Sequence, residues 1–314
     1  MTDTDDRATA PMTVEELHPQ LLAAFKRVPS IDLEKPFLRW LMAKASGLAP
    51  GAKVEGVERR IVRDGAARVR VYVPERPSGA ALLWIHGGGL VLGSARMDDR
   101  LCGETARDTG AVVVSADYRL GPEHPFPAAH DDVHAAWSWL QLHADELGVD
   151  AERIAIGGQS AGGGLAAGLI QRLHDEGVPV AAQLLLCPML DDRTAADRGL
   201  DARRHLVWNN RANLVGWRSY LGHEPGAEAV PMYAVPGRRE DLTGLPPAWI
   251  YWSEIELFAA EDRSYADRLA AAGVPVTVVT LRDAAHGFEA WAYETRPAED
   301  LLAGARAWLA GALA

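Results

Sequence analysis

Residues 154–164 read Ile-Ala-Ile-Gly-Gly-Gln-Ser-Ala-Gly-Gly-Gly. The apolar start reads as a short strand, and the Ala- and Gly-rich continuation reads as a helix. Between them stands Gly158-Gln159-Ser160-Ala161-Gly162. This is a G-x-S-x-G pattern in the strand–turn–helix context that holds a serine on a sharp turn. Such a turn strains the serine backbone, and glycine two positions before and after removes side chains that would collide. The strain pushes the Ser160 hydroxyl outward at a helix N-terminus. There the Ala161 amide and the helix dipole favour a developing negative charge. The pattern is short and built from common residues, so its meaning depends on what else the chain supplies.

Upstream, residues 80–85 form an apolar run that reads as a buried strand and ends in His86-Gly87-Gly88-Gly89. Ser94 opens a helix to about 109, and residues 111–116 read as another buried strand. A Pro-rich loop follows Asp117-Tyr118-Arg119-Leu120, then a helix from about 128 to 147. Before all of these, residues 57–63 and 68–73 alternate apolar and charged positions around Asp64-Gly65, a hairpin signal. Residues 1–12 read as disordered. Residues 13–49 carry a helical pattern, with Thr13 and Glu16 spaced as a capping box, Leu17, Leu21, Leu22 and Phe25 at helical spacing, and a second helix over 36–45.

Downstream, residues 180–186 read as a strand. The strand–helix alternation then breaks over 191–245, an insertion containing Trp208, Trp217, Tyr220, Met232 and Tyr233. It resumes with a strand at 247–252, a helix at 259–272, a last strand at 274–281 and a closing helix at 297–313. A hairpin followed by repeated strand–helix units implies an α/β fold, with a mostly parallel central sheet and helices on both faces. Right-handed crossovers bring the strand ends to one edge, where ligands gather. The Gly-rich loop, the Ser160 turn, the acidic stretch after Trp252 and the loop holding His286 all fall at that edge.

Composition narrows the function. The chain has 314 residues, 48% of them hydrophobic, and a net charge of −11. That charge argues against a nucleic-acid partner. Cys102 and Cys187 lack metal-ligand spacing and read as free thiols in a reducing compartment. The N-terminus is acidic without an apolar core, so no signal peptide is expected. No run approaches membrane-spanning length. A cytoplasmic protein is the expectation.

A serine hydroxyl needs a base, and the base needs a group that holds its tautomer. His286, between Ala285 and Gly287, is the candidate base, and the order serine, acid, histidine suits the pattern. Glu256 is the favoured acid. Glu254, Glu261, Asp191 and Asp192 lie near enough in sequence to stand as alternatives. Consecutive glycines let backbone N–H groups approach a substrate, so Gly88 and Gly89, with Ala161, are the candidate oxyanion donors. His86 reads as an anchor for that loop. No metal and no cofactor are called for.

Together these motifs resemble the hormone-sensitive-lipase-like family of α/β-hydrolases, bacterial carboxylesterases. The resemblance rests on His86–Gly89, on 117–129, on Gly158–Gly163, on Leu245-Pro246-Pro247, on Tyr265, Ala266 and Leu269, and on His286-Gly287-Phe288. It implies the α/β-hydrolase fold with a helical cap. In that scheme 1–50 contributes N-terminal cap helices, 51–190 and 246–314 form the core, and 191–245 is the cap insertion. It implies a serine carboxylesterase acting through an acyl-enzyme on short-to-medium acyl esters, with Ser160, Glu256 and His286 as triad. Aromatic residues in the insertion, Trp208, Trp217 and Tyr220, suggest an aromatic substrate surface. Leu90, where the family often has an aromatic residue, suggests a wider acyl pocket. Gln159 stands where Asp or Thr is usual, and Glu256-Leu257-Phe258 where Asp-Pro-Leu is usual. Family members often dimerise through the edge strand, here about 274–281, so a homodimer is an expectation. Amidase, thioesterase or lactonase activity on the same triad, or a non-catalytic ligand receptor, are the alternatives.

Overall fold

In the computed structural model, which describes residues 10–29, 32–48 and 51–314, eight strands form one sheet. They are β1 (Val57–Asp64), β2 (Ala67–Pro74), β3 (Ala81–Ile85), β4 (Val112–Ala116), β5 (Ile154–Gln159), β6 (Gln183–Leu186), β7 (Ala248–Ser253) and β8 (Val276–Leu281). Their order is β1-β2-β4-β3-β5-β6-β7-β8. The β1–β2 and β2–β4 pairs are antiparallel, and every later pair is parallel. Asp64 pairs with Ala67, so the hairpin turn is Gly65-Ala66, with Gly65 at φ +54°.

The α-helices, in chain order, are α1 (Leu22–Phe25), α2 (Pro36–Ser46), α3 (Asp99–Thr109), α4 (Ala128–Leu142), α5 (Ala161–Asp175), α6 (Asp192–Ala196), α7 (Asn210–Leu221), α8 (Ala259–Ala271), α9 (Phe288–Trp291) and α10 (Arg296–Ala312). Alternation along each strand feeds two cores. In β3, Ala81, Leu83 and Ile85 join a core with Val133 of α4, Leu165 of α5 and Leu269 of α8. Leu82 and Trp84 join the opposite core with Leu101 of α3 and Leu302 of α10. The helices therefore cover both faces, as the alternating pattern requires.

Several local expectations are corrected. The helical run expected over 13–49 is broken at its start into 3-10 turns and the four-residue α1, because Pro19 supplies no N–H and can only begin a helical turn. Residues 1–9 lie outside those described, but Met12, expected in a disordered tail, is buried against Leu17 and Ala285. The helix expected from 94 begins as a 3-10 turn, Ala95–Asp98, before α3. The helix expected to reach 147 ends at Leu142, followed by a 3-10 turn at Asp145–Leu147. Residues 191–245 hold helices and 3-10 turns without a strand. Cys102 and Cys187 are buried and unpaired. Among the described residues no helix is long and apolar enough to cross a membrane.

Candidate active site

β5 ends at Gln159, and Ser160 follows at φ +55°, ψ −123°, as the residue preceding α5. This left-handed conformation is costly for a residue with a Cβ. It persists because the glycines let the turn close. A Cβ at Gly162 would lie 2.1 Å from the Ile85 carbonyl oxygen, and one at Gly158 would lie 2.4 Å from the Gly162 backbone. β5 runs beside β3 and β6, so the loops after these strands surround Ser160.

The loop after β8 brings His286 over the turn. The Ser160 hydroxyl donates to His286 Nε2 at 2.8 Å, with both residues buried. On the other side of the ring, Nδ1–H donates to Glu256 Oε2. The second oxygen, Oε1, accepts the Ser253 N–H at 3.0 Å, which fixes the carboxylate at the end of β7. Phe258 packs edge-on against the imidazole at 5.1 Å.

The competing acids are engaged elsewhere. Asp191 caps α6 and pairs with Arg193. Asp192 is held by Arg238 and the Gly226 N–H, each at 2.7 Å. Glu254 pairs with Arg263. Glu261 accepts the N–H groups of Leu190 and Asp191, tying the loop after β6 to α8.

After β3 the chain turns through Gly88 at φ +121° and Gly89 at φ +61°. The Gly88 carbonyl accepts from Val91 and Leu92, whereas the N–H groups of Gly88, Gly89 and Ala161 have no protein acceptor among the described residues. These are the donors an oxyanion needs. His86 holds the loop from behind. Its Nδ1–H donates to the Gly87 carbonyl at 2.7 Å, and its ring stacks on Tyr118 at 4.2 Å. Burial pushes its pKa down, which keeps it neutral.

A cavity of about 260 Å³ opens over Ser160, His286, Gly88 and Gly89. Val28, Leu33, Trp208, Ala212 and Trp291 give it apolar walls. Of the four residues expected to touch substrate, Trp208 lines this cavity. Leu90, Trp217 and Tyr220 lie outside the lining and belong to the main core. α7 turns Ala212 toward the cavity and Trp217 and Tyr220 away from it, where Tyr220 packs edge-on against Phe126. Leu90 adopts φ +66° and sends its side chain inward.

The sequence reading missed one contact. Gln159 Nε2 donates to Glu289 Oε1 at 2.6 Å in the interior. Glu289 stands one turn after His286, so the stretch His286-Gly287-Phe288-Glu289 carried the signal. Cys187 also donates to Glu289, at 3.7 Å. Cys187, Glu256 and His286 place three potential metal donors within 4.8 Å of one another. Ser160 and Glu256 already occupy both nitrogens of His286, and burial holds the Cys187 thiol protonated, so this donor set does not fit a metal.

A family model described as the alpha/beta hydrolase fold matches residues 82–290. The chain is 38% identical to esterase LipI of Mycobacterium tuberculosis, over 73% of this chain and 72% of that protein. It is 35% identical to carboxylesterase NlhH of the same organism, over 84% of each. Among solved structures, a bacterial heroin esterase superposes with a TM-score of 0.87 and 37% identity, covering 96% of this chain and all of that one.

Proposed function

The chain belongs to the α/β-hydrolase fold family, among the hormone-sensitive-lipase-like carboxylic ester hydrolases, and from that premise we propose that it cleaves small acyl esters through an acyl-enzyme on Ser160. The observation that carries this reading is the continuous contact from Ser160 through His286 to Glu256. Ser160 Oγ attacks the ester carbonyl while His286 Nε2 takes its proton. Glu256 keeps the proton on Nδ1 and stabilises the imidazolium that forms. The N–H groups of Gly88, Gly89 and Ala161 receive the oxyanion, and losing one such donor typically costs about 3 kcal/mol of transition-state stabilisation. His286 then protonates the leaving alcohol and activates water to release the acid.

The apolar cavity of about 260 Å³ lies at the small end for ligand pockets. That favours short-to-medium acyl chains. Trp208 and Trp291 on its wall favour an aromatic or otherwise flat leaving group, in keeping with the name of the heroin esterase neighbour. The N-terminal segment, through Val28, Pro29 and Leu33, and 191–245, through Val207, Trp208, Asn209 and Ala212, act as the cap, since these residues contribute to that wall. Dimerisation through the edge strand β8 is part of the same proposal.

The test is hydrolysis of p-nitrophenyl esters from C2 to C12. Ser160→Ala and Glu256→Gln should each lower kcat by roughly 10³-fold or more, and mass spectrometry should find the acyl group on Ser160. Full activity in Ser160→Ala, or an acyl adduct elsewhere, overturns the mechanism.

A further inference from the structure

All four lysines of the chain, Lys26, Lys35, Lys44 and Lys53, stand in one N-terminal stretch, and every basic residue after Lys53 is arginine or histidine. Between Glu34 and Glu55 there are four basic residues and no acidic one, in a protein whose net charge is −11. This cationic stretch contains α2, and α2 has no fully buried residue.

A surface helix normally turns its apolar stripe toward the core. α2 turns one outward. Phe37, Trp40 and Leu41 are 73%, 49% and 44% exposed, and Leu48 beyond the helix end is 81% exposed. The spacing of Phe37, Trp40 and Leu41 places these three on one face of the helix, and the Phe37 and Trp40 rings stack at 6.2 Å. Basic side chains border this face. Lys35 stands at the N-cap of the helix, Lys44 stands between Leu41 and Leu48, and Arg68 shares a furrow with Trp40 and Lys44. Across the hairpin Arg68 is directly paired with Arg63, two like charges in register. Lys44, Arg63 and Arg68 have no ionic partner among the described residues. Opposed like charges are unfavourable unless an anion offsets them.

We propose that α2 docks the protein on an anionic lipid surface without crossing it. Phe37, Trp40, Leu41 and Leu48 enter the acyl boundary, while Lys35, Lys44, Arg63 and Arg68 meet the phosphate headgroups. An outward aromatic and leucine stripe with flexible basic side chains at its margins is the composition of helices that lie in the membrane interface. The excess of basic over acidic residues around the stripe, four to none between Glu34 and Glu55, complements an anionic surface. Asp32 pairs with Lys35 at 3.5 Å and Glu123 shares the furrow with Trp40 and Lys44, but carboxylates farther off act weakly at this face, because at physiological salt a charge is screened beyond about 8 Å. Docking in this way is independent of catalysis. Its use to deliver lipid-dissolved esters rests on the proposed esterase reading, since Val28 and Leu33 of the same N-terminal segment line the cavity over Ser160.

Flotation of the full chain with phosphatidylcholine vesicles, with and without about 30% phosphatidylglycerol, tests this. The bound fraction should be about ten-fold higher on the anionic vesicles and should fall when salt rises from about 0.1 M to about 0.5 M. The double variants Phe37→Ser/Trp40→Ser and Lys35→Glu/Lys44→Glu should each lose about ten-fold in binding. Both should keep their circular dichroism melt and their turnover of water-soluble p-nitrophenyl acetate. No binding to anionic vesicles, equal binding to neutral ones, or binding untouched by both variants overturns the proposal. So does light scattering that shows a dimer dispersed by Phe37→Ser/Trp40→Ser without lipid binding, since a second copy then covers the face.

Discussion

Gln159 Nε2 lies 2.6 Å from Glu289 Oε1, and this buried bond joins the residue before Ser160 to the helix that follows His286. It links two segments whose separation sets the Ser160–His286 distance. Both partners are shielded from water, so a change to either leaves the other unsatisfied. Gln159→Leu is expected to lower stability by about 1–3 kcal/mol in urea melts. It should also cut kcat more than it changes KM. Glu289→Gln keeps an acceptor for the Gln159 amide and is expected to do less harm on both counts.

Gly89 faces Trp208 so closely that a Cβ would stand 2.0 Å from the indole Cη2. Its φ of +61° adds strain for any side chain. Gly89→Ala must therefore move either the loop or the indole. A displaced N–H at this position is expected to lower kcat by roughly 10²–10³-fold. Adding Trp208→Ala removes the collision and should recover part of that loss, which steady-state kinetics on one ester will measure.

Asp99 carries an ion cluster that no part of the reaction uses. It is 1% exposed and accepts two bonds from Arg70, at 2.7 and 2.9 Å, together with bonds from Arg59 and the Tyr72 hydroxyl. These contacts fasten α3 to the hairpin. Asp99→Ala strands the Arg70 charge in the interior, and breaking one partner of such a pair costs about 3–5 kcal/mol. Guanidinium unfolding should show that loss. Ser160 reactivity in the folded fraction should be unchanged.

Glu261 gives stability a dependence on pH. Burial is the largest influence on its carboxyl and pushes the pKa from an ordinary 4.5 up to about 8, against bonds from Thr194 and the Leu190 N–H that pull it down. The folded chain therefore holds this proton more tightly than the unfolded chain. The stability it contributes is complete below about 4.5 and is lost as pH rises through about 8. Glu261→Gln retains a carbonyl for the two N–H groups and cannot ionise. It is expected to flatten the fall in melting temperature between pH 5 and pH 9.

The fold class was legible because its signals are local. Apolar runs such as 80–85 and 111–116 can only be buried strands when helices alternate with them, and the observed β3 and β4 begin within one residue of those limits. Within 13–49 the helix expected at 36–45 forms as α2 (Pro36–Ser46), whereas the first one does not, because Pro19 breaks a pattern that periodicity alone would continue. The loop sites after β3, β5 and β8 were visible as motifs, since glycine marks the places where backbone must bend or approach closely. Aromatic residues gave no such guide. Trp208 and Trp217 stand in the same insertion and both pack in the main core, yet of the two Trp208 alone also lines the cavity.

By itself, then, the sequence determined the order of strands and helices and the presence of a serine, a histidine and a glycine loop at strand ends. Periodicity and turn chemistry act over a few residues and need no fold to be read. Only the tertiary structure decided which carboxylate faces His286, because spacing favours Glu256 but leaves Glu254, Glu261, Asp191 and Asp192 open until the loops after β6 and β7 are placed. It likewise decided that Glu289 reaches Gln159 across 130 residues of chain, and that α2 turns its apolar stripe outward. Such relations depend on the register of the parallel strands and on what each helix face meets, and neither is written in local spacing.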